Sequence, residues 1–208
     1  MAVQLFLSCV SDEFGAYRDA LRGALTRPNV EVKIQEDFKA LGGDTLMKLE
    51  AYIKRCEAVV HIVGDMPGSA PEDFGVQALL ARHPDMKMRL PPVSAAIDAG
   101  AAISYTQWEA WLALYYAKDL IIAAPARDAK FAATNTSKSP QAEHLDRLKA
   151  LGRYPEVRFA NADNLVAQIF ASAVIDALVK AAAKLARQPR NLPFASPRPS
   201  LLCTARWR

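Results

Sequence analysis

The chain has 208 residues, 51% of them apolar, with 26 basic against 22 acidic side chains, which supports one domain with a tail, or two small ones, around a substantial core. Three cysteines (Cys9, Cys56 and Cys203) without a Cys-x-x-Cys spacing, and three scattered histidines, exclude a disulfide framework and a zinc site. Six of the basic residues and no acid fall in 184–208, so the rest is slightly acidic and shows no basic face for nucleic acid.

VQLFLSCV (3–10) is a short apolar run that predicts a buried strand. SDEFGAYRDALRGAL follows, with Ser11 as the expected N-cap and Phe14, Tyr17, Leu21 and Leu25 at helical spacing. VEVKI (30–34) reads as a second strand, and QEDFKALGGDT as a loop broken by Gly42 and Gly43. A helix capped by Asp44 or Thr45 carries Leu46, Leu49, Tyr52 and Ile53, and AVVHIVG (58–64) is a third strand.

Residues 65–100 hold five prolines and read as a long excursion with one short helix over 72–82. A helix over 104–117 and a fourth strand, DLIIAAP (119–125), come next. ARDAKFAATNTSKSP reads as a polar, mobile segment, and QAEHLDRLKALG as a helix ended by Gly152. EVRFAN (156–161) is a fifth strand, and Asn161 or Asp163 caps one long final helix. No signal-peptide pattern opens the chain, and Glu109, Lys118 and Asp119 interrupt the longest apolar stretch. The expectation is a cytoplasmic protein with no membrane partner.

Five strand–helix repeats predict an α/β fold with a five-stranded parallel sheet, flavodoxin-like, covered by helices on both faces. In such sheets ligands bind outside the carboxyl ends of the strands. The phosphate-binding glycine motifs and the nucleophile elbow are missing. Asp65 ends the third strand as in a phospho-acceptor receiver, but Ser8-Cys9 stands where that reading needs an acidic pair.

Glu109 is the one charged residue between Asp98 and Lys118, set among Tyr105, Trp108, Trp111, Leu112, Leu114, Tyr115 and Tyr116. Its neighbours three and four residues away are Tyr105, Thr106, Leu112 and Ala113, none of them basic. A carboxylate on so apolar a helix faces either a polar cleft or a costly apolar setting. These side chains divide into expected core (Trp111, Leu114, Tyr115) and expected cleft (Tyr105, Trp108).

These features together resemble a TIR (Toll/interleukin-1 receptor) domain over residues 1–186, leaving 187–208 as a basic, Pro-rich tail. VQLFLSCVSDEF resembles the family's first strand and its Ser/Asp-rich loop. EDFKALGGDTLMKLEAYIKRCEAVVHIVG is similar to the BB-loop segment, with Asp37, Leu41, Gly42, Leu46, Ile53 and Cys56 in the matching places. SYTQWEAWLALYY resembles the helix that carries the catalytic glutamate of TIR NADases, and Glu109 falls on that position; Tyr105 stands where the family often has tryptophan.

The resemblance implies a bacterial immune effector that cleaves the nicotinamide–ribose bond of NAD⁺, with NAD⁺ as substrate and no cofactor or metal. It implies Glu109 as the catalytic carboxylate, with Ser8, Tyr105, Trp108, Asp37, Leu41, Gly42 and Gly43 around the substrate. It also implies other TIR protomers as partners, because the BB loop of a neighbour commonly completes the site. PRNLPFASP (189–197) resembles the linker that joins such a domain to a STAND-type ATPase, implying an effector module separated from a larger sensor. Two other readings stand beside this one: a non-enzymatic TIR scaffold, and a nucleoside deoxyribosyltransferase-like enzyme.

Overall fold

The computed structural model describes residues 2–38, 45–127, 129 and 140–187. Five strands form the sheet: β1 (Val3–Ser8), β2 (Val30–Lys33), β3 (Ala58–Ile62), β4 (Asp119–Pro125) and β5 (Val157–Phe159). All neighbours pair in parallel, in the order β2-β1-β3-β4-β5. This is the flavodoxin-like order, in which the connection reverses direction between β1 and β3. Strands buried on both faces need apolar side chains throughout, and β3 shows this: every residue from Ala58 to Ile62 is buried.

Alternate residues along each strand point to opposite faces. On one face α1 (Ser11–Leu25), α8 (Ala162–Phe170) and α9 (Ala173–Arg187) cover Leu5, Leu7, Val60, Ile62, Ile121 and Ala123. On the other, α2 (Thr45–Arg55), α6 (Tyr105–Tyr115) and α7 (Pro140–Ala150) join a core with Phe6, Val59, Val63, Leu120 and Ile122. The segment between β3 and α6 also sits on this second face. Among the described residues no single helix is long and apolar enough to cross a membrane.

Three details differ from the sequence expectations, and a fourth is not tested. Helix α1 is entered from Val10 without a side-chain cap, and the Ser11 hydroxyl instead accepts a hydrogen bond from Arg18 at 2.8 Å. The excursion is more regular than its prolines indicate. After α3 (Asp73–Arg82) come α4 (Met86–Arg89) and α5 (Pro91–Asp98), and the paired prolines open α5, where their missing N–H groups cost nothing. The final helix is two helices: the Ser172 hydroxyl donates to the Ile169 carbonyl at 2.7 Å, taking the acceptor a continuous helix would use. Finally, the segment read as polar and mobile falls largely outside the described residues.

Candidate functional site

In sheets of this order ligands bind where the connection reverses, here between β1 and β3, and the loop after β3 is held beside that place by Glu13 of α1. The Glu13 carboxylate accepts the backbone N–H groups of Asp65 at 2.7 Å and Met66 at 3.1 Å. Burial pushes the Glu13 carboxyl above its usual range, against the pull of those two hydrogen bonds. A Cβ on Gly64 would overlap this carboxylate. Gly68, at φ +76°, lets the loop close: a Cβ there would stand 3.2 Å from Thr106 Oγ1 and 3.3 Å from Val10. The Ser69 carbonyl then accepts the Tyr105 N–H at 2.8 Å, tying the loop to the first residue of α6.

Helix α6 starts on a capping box. Ser104 Oγ accepts from Gln107 N, and Gln107 Oε1 accepts from Ser104 N, each at 3.3 Å. The Gln107 amide also donates to Gln141 Oε1 at 2.8 Å and to the Pro140 carbonyl at 3.3 Å, fixing α6 against α7. The position of Glu109 is therefore set from two sides, by the loop after β3 and by α7.

Glu109 is 1% exposed. It lies two helical turns before Tyr116, so the two share one stripe. The Tyr116 hydroxyl donates to Glu50 of α2 at 2.6 Å, and Lys54 of α2 sits 5.6 Å from its ring. The stripe thus faces α2, and Glu109 stands toward the N-terminal end of that helix pair. Residues Leu41, Gly42 and Gly43, which precede α2, lie outside the described residues. Tyr105 is half-buried, whereas Trp108, expected in the cleft, is 0% exposed and packs in the core beneath a cavity of about 350 Å³ between α3 and α5. Trp111 and Tyr115 are buried, as expected of core, and Leu114 is partly buried.

Two residues expected around a substrate are engaged elsewhere. Ser8 does not face the crevice: it is buried beneath α6 and α7, with its hydroxyl 2.7 Å from His61 Nδ1. Asp37 is used structurally. Its carboxylate accepts two hydrogen bonds from Arg22, at 3.0 Å and 3.1 Å, and a third from the Ile34 N–H at 3.0 Å. One guanidinium nitrogen and one backbone N–H thus hold the carboxylate between α1 and the end of β2.

Sequence reasoning missed two polar clusters. His61 Nε2 lies 3.1 Å from His144 Nε2, which extends the Ser8 contact into a buried chain from β1 through β3 to α7. His144 Nδ1 has no hydrogen-bond partner among the described residues. An unprotonated nitrogen is cheaper there than a stranded N–H. His144 Nε2 therefore carries the proton and donates to His61, whose Nδ1 donates to Ser8. Burial holds both imidazoles neutral, lowering His61 to about 3 and His144 well below its ordinary value. The one sequence signal was an imidazole on the same strand face as Val59 and Val63.

The second cluster surrounds Glu50, whose carboxylate accepts from His83 Nε2 at 2.6 Å, Tyr116 at 2.6 Å and Arg82 at 3.0 Å. Burial raises the Glu50 carboxyl, but the Tyr116 and His83 hydrogen bonds outweigh it and hold the group below its usual range. This cluster docks the α3–α4 corner onto α2 and α6. Among the described residues no group of three or more His, Cys, Asp or Glu is placed to hold a metal ion.

No family model and no curated protein matches this sequence. Among solved structures, the 2-desoxiribosyltransferase from Leishmania mexicana is similar over 61% of this chain and 67% of its own, with 15% identity and a TM-score of 0.37. The fold class rests on the strand order of this chain itself.

Proposed function

We propose that the protein is a TIR-type NAD⁺ glycohydrolase that cleaves the nicotinamide–ribose bond and is activated by self-association. The observation that carries the reading is Glu109: a buried carboxylate on the N-terminal half of α6, at the end of a flavodoxin-like sheet where the carboxyl ends of the strands lie. The chemistry asks for one such group. Nicotinamide leaves a cationic ring as a neutral molecule, so no acid has to protonate it. The ribose develops oxocarbenium-like charge, which an adjacent carboxylate stabilises.

With Glu109 1% exposed, substrate reaches it only when α2 and α6 part at their N-terminal ends. Assembly with other protomers supplies that opening in this reading. Nicotinamide release from NAD⁺, followed by chromatography, tests it. Folded Glu109→Gln loses at least about 100-fold in rate, and turnover per protomer rises with protein concentration. A Glu109→Gln protein as fast as the wild type removes the assignment.

The second reading is a non-enzymatic TIR scaffold, favoured by the same burial of Glu109. It holds if concentrated wild-type protein associates but releases no nicotinamide.

A further inference from the structure

Leu25 ends α1 and Val30 opens β2, so both stand at the amino ends of the strands, at the far end of the sheet from the start of α6. With Phe170 of α8 and Ile175, Val179 and Ala182 of α9 they line an apolar groove of about 210 Å³. Arg27 and Asn29 add polar groups to its lining. Phe170 is 40% exposed and Val179 63% exposed. Single exposed apolar side chains are ordinary. Two that flank one groove between α1, β2 and α9 leave an apolar surface with no cover among the described residues.

An apolar cavity of about 150 Å³ takes a benzene ring, so this groove has room for one aromatic side chain. The chain carries one within reach. Helix α9 ends at Arg187, and residues 188–208 follow it, outside the described residues. Val179 lies eight residues before Arg187 and Ile175 twelve, about 12 Å and about 18 Å back along the helix. Phe194 lies seven residues after Arg187, a reach of about 22 Å for extended chain. Pro189 stops the helix from continuing, and Pro193 and Pro197 bias the residues before them toward extended backbone. Leu192 and Phe194, two apart, then share one side. The prolines also reduce the entropy lost on docking.

We propose that the segment Leu192–Phe194 turns back along α9 and docks in this groove, with the Phe194 ring as its anchor. The other aromatic residue after Arg187 is Trp207, and bringing it back closes a longer loop at a higher entropic cost. Arg190 and Arg198 bracket the docked residues and stay in water. The groove lies at the opposite end of the sheet from Glu109, so this contact does not depend on NAD⁺ cleavage.

The test is nuclear magnetic resonance on the full chain with labelled methyl groups. The Phe194 ring protons give Overhauser contacts to the Ile175 and Val179 methyls. In a mixture of labelled and unlabelled chains these contacts stay within one chain. Phe194→Ala removes the ring-current shift of those methyls. It also speeds trypsin cleavage after Arg190 about tenfold or more, the change in population that exposing one phenylalanine ring implies. Trp207→Ala leaves both readouts unchanged. Glu109→Gln leaves them unchanged whether or not NAD⁺ is cleaved, so this contact and the proposed activity fail separately. The proposal is overturned if Phe194→Ala moves neither readout, or if Trp207→Ala is the substitution that moves them. It is also overturned if the contacts run only between chains, which makes a second copy the occupant.

Discussion

The two faces of the sheet are built from different materials. Beneath α1, α8 and α9 the buried core is apolar side chains, with Phe14 and Phe159 edge to face at 5.8 Å. Beneath α2, α6 and α7 lie Ser8, His61, Glu50, Gln107, Glu109, Gln141 and His144, all buried. The strands alternate, so one backbone serves both; β3 sends Val60 and Ile62 one way and His61 the other. Buried polar groups stabilise only when fully partnered and otherwise cost free energy. A chain that places all of them on one face keeps the other as the part that holds the fold together. The polar face is then free to carry chemistry at the expense of some stability.

The strongest way to break this comparison is to damage the apolar face. Phe159→Ala leaves a cavity against Phe14 and costs about 3–5 kcal/mol, a drop of roughly 10 °C in melting temperature for a domain of this size. Nicotinamide release per folded protomer, the activity proposed above, is unchanged at temperatures where the variant stays folded. If this substitution slows release in the folded protein, the two faces are not independent.

Acid is the complementary test, because it strikes the polar face. Unfolded histidines protonate near 6.5, while burial in the fold lowers His61 to about 3 and His144 well below its ordinary value. Between those limits the unfolded chain binds more protons, so stability falls as pH drops from about 6.5 toward 3, by up to about 1.4 kcal/mol per pH unit for each histidine. Denaturant melts across that range measure the slope. The double variant His61→Leu with His144→Leu leaves the Ser8 hydroxyl unpartnered, costs about 1–3 kcal/mol at pH 7 and flattens the slope. An unchanged slope in the double variant places the acid sensitivity elsewhere. Ser8→Ala is smaller: it strands the His61 N–H and costs about 1–3 kcal/mol.

The same contrast explains what could be read from the sequence. The apolar runs and helical stripes made all five strands and most of the helices legible, and β4 falls on the residues read for it, Asp119–Pro125. Glu109 stood out because an uncharged helix makes a single carboxylate visible. The rest depended on side chains meeting across long distances. Nothing periodic relates His61 to His144, or Glu50 to His83 and Tyr116. Prolines 91 and 92 looked like breakers because their effect depends on whether they stand first in a helix or inside it. Ser8 stands at the end of β1, on the side where ligands bind in such sheets, but the pleat turns its side chain beneath α6 and α7.

A last and finer test uses one interaction that occurs on both faces. Ser104 caps α6 by accepting from Gln107 N, and Asn161 caps α8 by accepting from Asn164 N at 2.8 Å. Each substitution to alanine removes one such cap and costs about 1 kcal/mol, so thermal melts alone do not distinguish them. Their consequences differ because the helices carry different things. The first turn of α6 is held by the Ser104–Gln107 box, and Glu109 follows two residues later. Loosening that turn displaces the carboxylate, and a displacement well under the width of an atom is enough to slow a positioned reaction. Ser104→Ala therefore lowers nicotinamide release about tenfold, while Asn161→Ala leaves it near wild type. Equal losses in the two variants mean that turnover follows global stability, and that the start of α6 does not set the geometry of the site.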